Sequence, residues 1–129
     1  EIMPSLVGSE MCIRDSGKVR EYAASDEEFT RRAGFALLAT LAVGDKRASD
    51  DDFRAFLPLI ERGAEDSRVR IGKAVNWALR QIGKRSRGLY PDALALARRL
   101  AAKEGAAARR IGRDAVRELT LERIIARIK

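Results

Sequence analysis

A repeat of about 40 residues constrains the fold of this chain more than any other feature. Residues 30–32, 71–73 and 111–113 align as Thr-Arg-Arg, Ile-Gly-Lys and Ile-Gly-Arg, with spacings of 41 and 40 residues. The same alignment brings three leucines into register: Leu38, Leu79 and Leu119. This period is typical of HEAT-type units, in which a helix pair buries its apolar face by stacking on the next pair. The repeat therefore predicts a short α-solenoid of HEAT-like antiparallel helix pairs.

Local signals divide the chain from residue 25 onward into about six helices of an all-α fold. Ala, Leu and Arg are abundant, and aromatic residues make up only 5% of the chain. Pro58, inside the second helix, predicts a kink or a shifted boundary. The six helices are predicted to begin, in order, at a capping box of Ser25 and Glu28, at the acidic stretch 49–52, at caps Asp66 and Ser67, at Tyr90-Pro91, after the separator Gly105, and at a cap at Thr120.

Residues 1–16 do not match the rest of the chain. They lack helical periodicity, and they also lack the basic start and continuous apolar core of a signal peptide. They look like the adapter-derived peptide that is translated at the ends of some metagenomic genes. We therefore expect residues 1–16, including Cys12, to be a non-native, loosely attached leader, and residues 17–129 to form one solenoid domain.

The charge balance bounds the partners and the chemistry. Lysine and arginine outnumber the acidic residues 26 to 19, which gives a net charge of +7. A polyanion is the first partner to consider, although a basic surface that only contacts solvent is an alternative. With no histidine and one cysteine, the composition argues against a zinc site and a Ser-His-Asp triad, and we expect no metal and no cofactor. No apolar run approaches the roughly 18 residues of a membrane span, so we expect a cytoplasmic protein without a membrane partner. Nothing in the sequence indicates an oligomer.

The only tryptophan, Trp77, lies in a helix whose two faces differ in chemistry. Val75, Ala78, Leu79 and Ile82 share one face, whereas Trp77 shares the other with three cations: Lys73, Arg80 and Lys84. A tryptophan at helical spacing is usually buried, so a core position is the alternative. The cationic face instead predicts a partly exposed ring that is available to a nucleotide or a cation.

The repeat also aligns cations on equivalent helices. Arg32, Lys73 and Arg113 occupy one register position, and Arg117 follows Arg113 by four residues on the same face. Equivalent helices of a solenoid stand side by side, so equivalent residues form a stripe. Solvated helix faces are usually charged, but these faces are nearly all positive. The sequence therefore predicts a basic stripe across the solenoid.

Five segments carry a family resemblance: RAGFALLA (32–39), LAVGDK (41–46), FLPLIER (56–62), KAVNWALRQIGKR (73–85) and DAVRELT (114–120). In this order they resemble motifs of the DNA alkylation repair enzymes, the HEAT-like alkylpurine DNA glycosylases. The resemblance covers about residues 17 to 129. It implies duplex DNA with alkylated bases as the partner, held in a basic groove, and release of cationic alkylated purines by N-glycosidic cleavage.

The resemblance also assigns roles to individual residues. Trp77 matches an aromatic residue that lines the lesion site, Arg32 matches an arginine near the phosphates, and Lys73 and Arg80 lie beside the groove. The expected DNA-binding set is Arg32, Lys73, Arg80, Lys84, Arg113 and Arg117.

The family's catalytic carboxylate has no counterpart in the sequence. Family members carry an aromatic residue followed by an aspartate on an upstream helix, and residues 1–24 contain no match to that motif. We therefore identify no catalytic residue, expect the chain to be the C-terminal portion of the family's domain, and expect no detectable base release from it. Two alternatives remain open: a non-catalytic nucleic-acid-binding module, and a HEAT scaffold for an acidic protein partner.

Overall fold

Helices alone build the fold over residues 13–129, the part of the chain that the computed structural model describes. Eight helices follow one another in this part: α1 (Ile13–Ala23), α2 (Glu28–Gly44), α3 (Asp50–Arg54), α4 (Leu57–Gly63), α5 (Val69–Arg85), α6 (Tyr90–Ala101), α7 (Ala106–Leu119) and α8 (Glu122–Ile125). The all-α prediction is confirmed. The number exceeds six because α1 has no counterpart among the predicted helices and because α3 and α4 correspond to one predicted helix.

Two layers of helices form a short solenoid, as the repeat predicts. In the first layer, which we call the inner layer, α2 packs against α5 and α5 packs against α7. In the second, the outer layer, α1 contacts α4 and α4 contacts α6. The aligned leucines Leu38, Leu79 and Leu119 are all fully buried. The register found in the sequence is therefore the register of the core.

Helix α1 begins inside the segment that the sequence assigns to a leader. Its residues 13–16 form the first turn of α1, although no helical periodicity is evident there; residues 1–12 lie outside the described part of the chain. Val19 and Ala23 are buried, and α1 packs along α2. The segment that follows residue 16 thus supplies the outer helix of the first pair.

Pro58 has the predicted effect on the second helix. Helix α3 ends at Arg54, and α4 restarts at Leu57 with proline in its first turn, where a missing backbone N–H costs no hydrogen bond. The apolar residues on both sides of the break are buried: Phe53, Phe56, Leu57 and Ile60. The interruption therefore leaves one continuous apolar stripe facing the core.

The helix caps predicted at Ser25 and Thr120 are wrong. The N-cap of α2 is Glu27 rather than Ser25: its carboxylate accepts hydrogen bonds from the amides of Phe29 (3.1 Å) and Thr30 (2.9 Å). Thr120 is the C-cap of α7, and Leu121 precedes α8 instead. The observed N-caps, Glu27 and Leu121, both have the extended backbone that an N-cap requires. The predicted start of α3 is confirmed, with Ser49 as its N-cap.

Asp66 and Ser67 do not cap α5, whose N-cap is Arg68 without a side-chain cap. Asp66 is instead the centre of an ionic cluster that ties α2 to the loop before α5. Its carboxylate accepts hydrogen bonds from Arg68 (Nη2, 2.7 Å) and from Arg31 (Nη1, 2.9 Å), and its side chain is only 7% exposed. The hydrogen bonds from Arg68 outweigh burial, with a further contribution from Arg31, and lower the pKa of Asp66 to about 2.

Gly112 permits a close contact between the layers. A Cβ atom on Gly112 would lie 2.1 Å from the backbone nitrogen of Ala101 and 2.6 Å from the carbonyl oxygen of Ala97. At the equivalent residue in the repeat, Gly72, a Cβ atom would meet only Ile111 Cδ1, at the ordinary van der Waals distance of 3.9 Å. Helices α6 and α7 therefore approach each other more closely than any larger side chain at position 112 would allow.

We expect Gly112→Ala to lower the free energy of unfolding by about 1–3 kcal/mol, because the methyl group meets backbone atoms that cannot rotate away. The equivalent substitution Gly72→Ala is the matched control. It should raise the free energy of unfolding by about 0.5–1 kcal/mol, since it removes a glycine from a helix interior without a clash. Urea unfolding followed by circular dichroism measures both. Equal effects of the two substitutions would contradict the close approach of α6 and α7.

Asp66→Asn should lower the free energy of unfolding by about 2 kcal/mol at pH 7. The pKa of Asp66 is about 2 in the folded protein against 3.8 for an ordinary aspartate, and one pKa unit corresponds to about 1.4 kcal/mol. A lowered pKa stabilises the fold above the unfolded-state pKa, and this contribution disappears as the pH falls from about 5 to about 2. The difference between wild type and variant should therefore shrink over that window.

Asp26→Asn is the control for Asp66, because the fully exposed carboxylate of Asp26 lies 3.5 Å from the same Arg31. It should change the free energy of unfolding little at any pH. Urea unfolding between pH 2 and 7 compares the three proteins. A difference for Asp66→Asn that is as large at pH 2 as at pH 7 would show that the carboxylate charge is not the cause.

Candidate functional site

The exposed side of the inner layer, which we call the inner face, is organised around α5. This helix buries an apolar stripe toward the core: Ile71, Ala74, Val75, Ala78, Leu79 and Ile82. The opposite side of the helix carries Trp77, whose residue surface is 38% exposed. The ring is therefore partly accessible rather than a core side chain, and it lies on the central helix of the three.

Three cations in the same register lie on the three inner helices. Arg32 on α2, Lys73 on α5 and Arg113 on α7 are all exposed. None of the three has an ion pair or side-chain hydrogen bond with any residue between 13 and 129. Their charges are consequently uncompensated by the described protein and face solvent. The basic stripe that the repeat predicts is present at these three positions.

Arg80 and Lys84 are placed differently from the other cations of the predicted DNA-binding set. Both are partly buried between α5 and α7, where they share the carboxylate of Glu118; the Arg80 Nη1 to Glu118 Oε1 distance is 2.7 Å. Burial opposes ionisation of Glu118, but the hydrogen bonds from Lys84 and Arg80 outweigh it and lower its pKa. One of the two positive charges is thus balanced within the protein.

Arg117 lies at the position on α7 that corresponds to Trp77 on α5, 40 residues earlier. Its side chain is 76% exposed, and its guanidinium lies 3.7 Å from Asp114 Oδ1. Asp114 also accepts a hydrogen bond from the Asn76 amide at 3.3 Å. Arg117 therefore extends the stripe by one helical turn beyond Arg113, with only a weak ion pair to restrain it.

Three cations of the outer layer are paired with acids of the neighbouring repeat, in contrast to the stripe. Arg54 contacts Asp92 at 2.7 Å, and Lys103 contacts Glu65 at 2.9 Å. Arg99 contacts Glu61 at 3.4 Å. Ion pairs therefore connect neighbouring outer helices, whereas Arg32, Lys73 and Arg113 on the inner face have no such partner among the described residues.

The role of Glu118 is absent from the sequence predictions, although the sequence contains a signal for it. Polar pairs between adjacent repeats recur at a separation of 38 residues: Arg54 with Asp92, Glu61 with Arg99, Glu65 with Lys103, Asn76 with Asp114, and Arg80 with Glu118. In these pairs, the residues that contact each other across neighbouring helices are therefore 38 residues apart, two fewer than the repeat of 40. Opposite charges at this separation would have identified Glu118 as the partner of Arg80.

Neither a metal site nor a membrane-spanning helix is found in the described part of the chain. Residues 13–129 contain no group of histidine, cysteine, aspartate or glutamate side chains that could hold a metal ion. Their helices are also too short or too polar to cross a membrane. The carboxylates between α5 and α7, those of Asp114 and Glu118, are engaged by Asn76, Arg117, Arg80 and Lys84.

Comparison with known proteins gives one match. A protein-family model described as DNA alkylation repair enzyme matches residues 2–119. No curated protein sequence and no solved structure matches the chain significantly. The match spans the five segments that carry the family resemblance, except for Thr120 at the end of the fifth, and it includes all the cations of the predicted DNA-binding set.

Proposed function

Because the chain belongs to the DNA alkylation repair enzyme family, we propose that its inner face binds duplex DNA for the release of cationic alkylated purines by N-glycosidic cleavage. One observation carries the proposal: Arg32, Lys73 and Arg113 are exposed and unpaired within the described residues, and they share one register position beside the partly exposed Trp77 of the central helix. The cationic stripe suits the charged backbone of a nucleic acid, and the aromatic ring beside it suits a base.

The dimensions of the stripe suit a duplex. Helices that pack side by side lie about 8–10 Å apart, so three neighbouring inner helices carry the stripe over roughly 20 Å. Duplex DNA carries one phosphate charge per 1.7 Å of axis, or roughly a dozen over that length. Unpaired side chains contact phosphates without first breaking an internal ion pair. Arg32, Lys73 and Arg113 are therefore the principal phosphate contacts, and Arg80 and Lys84, held by Glu118, contribute less.

Trp77 is the proposed lesion contact. An alkylated purine already carries a positive charge, which makes it a good leaving group and attracts it to the electron-rich face of a tryptophan. Loss of the base leaves a cationic sugar, which an aromatic face or a carboxylate stabilises. The carboxylates between α5 and α7 are already engaged by cations and an amide. Trp77 is accordingly the residue of the inner face that we assign to the base.

The second candidate function is a non-catalytic nucleic-acid-binding module that uses the same face. The observation that favours it is the engagement of Asp114 and Glu118, which leaves neither carboxylate free to act on a sugar. Incubation with a duplex containing 7-methylguanine and chromatography of the free bases separates the two functions. Released 7-methylguanine supports the glycosylase and would contradict our expectation of no detectable base release, whereas binding without release supports the module.

We expect the double substitution Lys73→Glu and Arg113→Glu to weaken binding of undamaged duplex DNA and to reduce the slope of log affinity against log salt by about 2. Each lost phosphate contact removes about 0.9 from the slope. The matched control is Arg62→Glu with Arg98→Glu, which changes the net charge equally at two exposed outer-layer arginines without described partners. Fluorescence anisotropy over a salt series gives both quantities. Identical slopes for the two variants would refute binding by the inner face.

Trp77→Ala should remove a preference for alkylated over undamaged duplex. Stacking of a base on an aromatic side chain is worth about 1–3 kcal/mol, so affinity for a 7-methylguanine duplex should fall roughly 5- to 150-fold, with little change for the undamaged duplex. Phe29→Ala is the control, because Phe29 is an exposed aromatic residue at the start of α2. Competition binding with both duplexes tests the role of Trp77, and an equal loss for both would contradict a contact with the lesion.

A further inference from the structure

A cleft of about 590 Å³ lies between α5, α7 and α8. Its walls include Arg117 from α7, Arg123 from α8, and Arg127 in the turn that follows α8. Arg123 and Arg127 are exposed, and neither has a side-chain partner among the described residues. The sequence predictions do not include Arg123 or Arg127, because α8 follows the last aligned repeat.

The fold fixes the position of α8 beside this cleft. Ile128, just beyond α8, is buried, and its carbonyl oxygen accepts a hydrogen bond from Arg87 Nε at 3.2 Å. At the start of the connection, the Tyr90 hydroxyl donates to the carbonyl oxygen of Leu119. Both ends of the segment from residue 119 to 128 are therefore tied to the chain around the start of α6, and the two arginines project from an anchored segment.

The cleft keeps an excess of positive charge after its acids are counted. Its two acids are Asp114 and Glu118. Glu118 is shared by Arg80 and Lys84, and Asp114 is the weak partner of Arg117. The charges of Arg123 and Arg127 are left without compensation from the cleft.

We propose that Arg123 and Arg127, with Arg117, form a binding site for backbone phosphates of the nucleic acid. The inference rests on the proposed function and extends its surface to α8. Guanidinium groups suit this role because they donate two parallel hydrogen bonds to a phosphate. Continuity favours nucleic acid over an acidic peptide: Arg117 lies one helical turn from Arg113, so the site prolongs the stripe that already crosses α2, α5 and α7.

The test is the double substitution Arg123→Gln and Arg127→Gln, measured by anisotropy with undamaged duplex over a salt series. Loss of two phosphate contacts should reduce the slope of log affinity against log salt by about 2. Affinity should fall by the same factor for undamaged and 7-methylguanine duplexes, since phosphate contacts carry no base information. The control Arg62→Gln with Arg98→Gln removes the same charge from the outer layer and should leave the slope unchanged.

A second variant separates geometry from charge. Arg123→Lys with Arg127→Lys keeps both charges but cannot donate in a bidentate manner, so it should keep the salt slope and lower affinity. An unchanged slope in the glutamine variant, with DNA bound normally by the wild type, would overturn the α8 site and leave the proposed function standing. A wild type that binds no DNA would overturn both. An oligoglutamate peptide could also be used as a competitor. If it displaced labelled DNA from these arginines as effectively as unlabelled duplex DNA, the assignment of the site to phosphates would be overturned.

Discussion

The guanidinium of Arg85 holds the inner layer together at the C-terminal end of α2. It donates hydrogen bonds to the carbonyl oxygens of Ala42 (2.9 Å), Asp45 (2.6 Å) and Ala48 (2.8 Å), and it stacks on the ring of Phe53 at 4.4 Å. The last carbonyl groups of a helix have no partner within it, and a cation there also offsets the helix dipole. One side chain of α5 thereby provides hydrogen bonds to carbonyl groups of α2 and the following loop and also packs on α3. The lateral register of α2 and α5, and hence of the stripe, depends on it.

The core could be predicted from the sequence because burial repeats with the helix pair. Leu38, Leu79 and Leu119 are equivalent in sequence and equally buried in the fold. Caps could not be predicted as well, because Ser25 and Glu27 both offer a suitable oxygen and the backbone angle decides which one begins the helix. The first helix lacked a recognisable period because its buried residues are few. Val19 and Ala23 lie four residues apart on α1, too short a run to establish a pattern.

Which cations are free is a tertiary property, and composition does not reveal it. The sequence places Lys73 and Arg80 on the same face of α5. In the structure, however, Lys73 is exposed to solvent, whereas Arg80 forms an ion pair with Glu118 on α7. Lys73 and Arg80 are seven residues apart, so their angular positions on α5 differ by only about 20°. What differs is the residue 38 positions later on α7, which is Ile111 for Lys73 and Glu118 for Arg80. Residues separated by 38 positions in the sequence thus contact each other between α5 and α7. An acid at that offset marks a cation that binds the protein itself, as Glu118 does for Arg80.

The register position of Trp77 connects this charge pattern with recognition. Its equivalents are Ala36 on α2 and Arg117 on α7, so one line across the inner face carries a small, an aromatic and a cationic residue in turn. The adjacent line, through Arg32, Lys73 and Arg113, is cationic on all three helices. A row of equal charges is suited to contact successive phosphates of a nucleic-acid backbone, whereas a single large ring beside the row is suited to contact one base. The inner face therefore combines cations that recur in each repeat with one aromatic ring that occurs once. The proposed function requires both, because the cations would contact phosphates of any sequence and the ring would contact a single base.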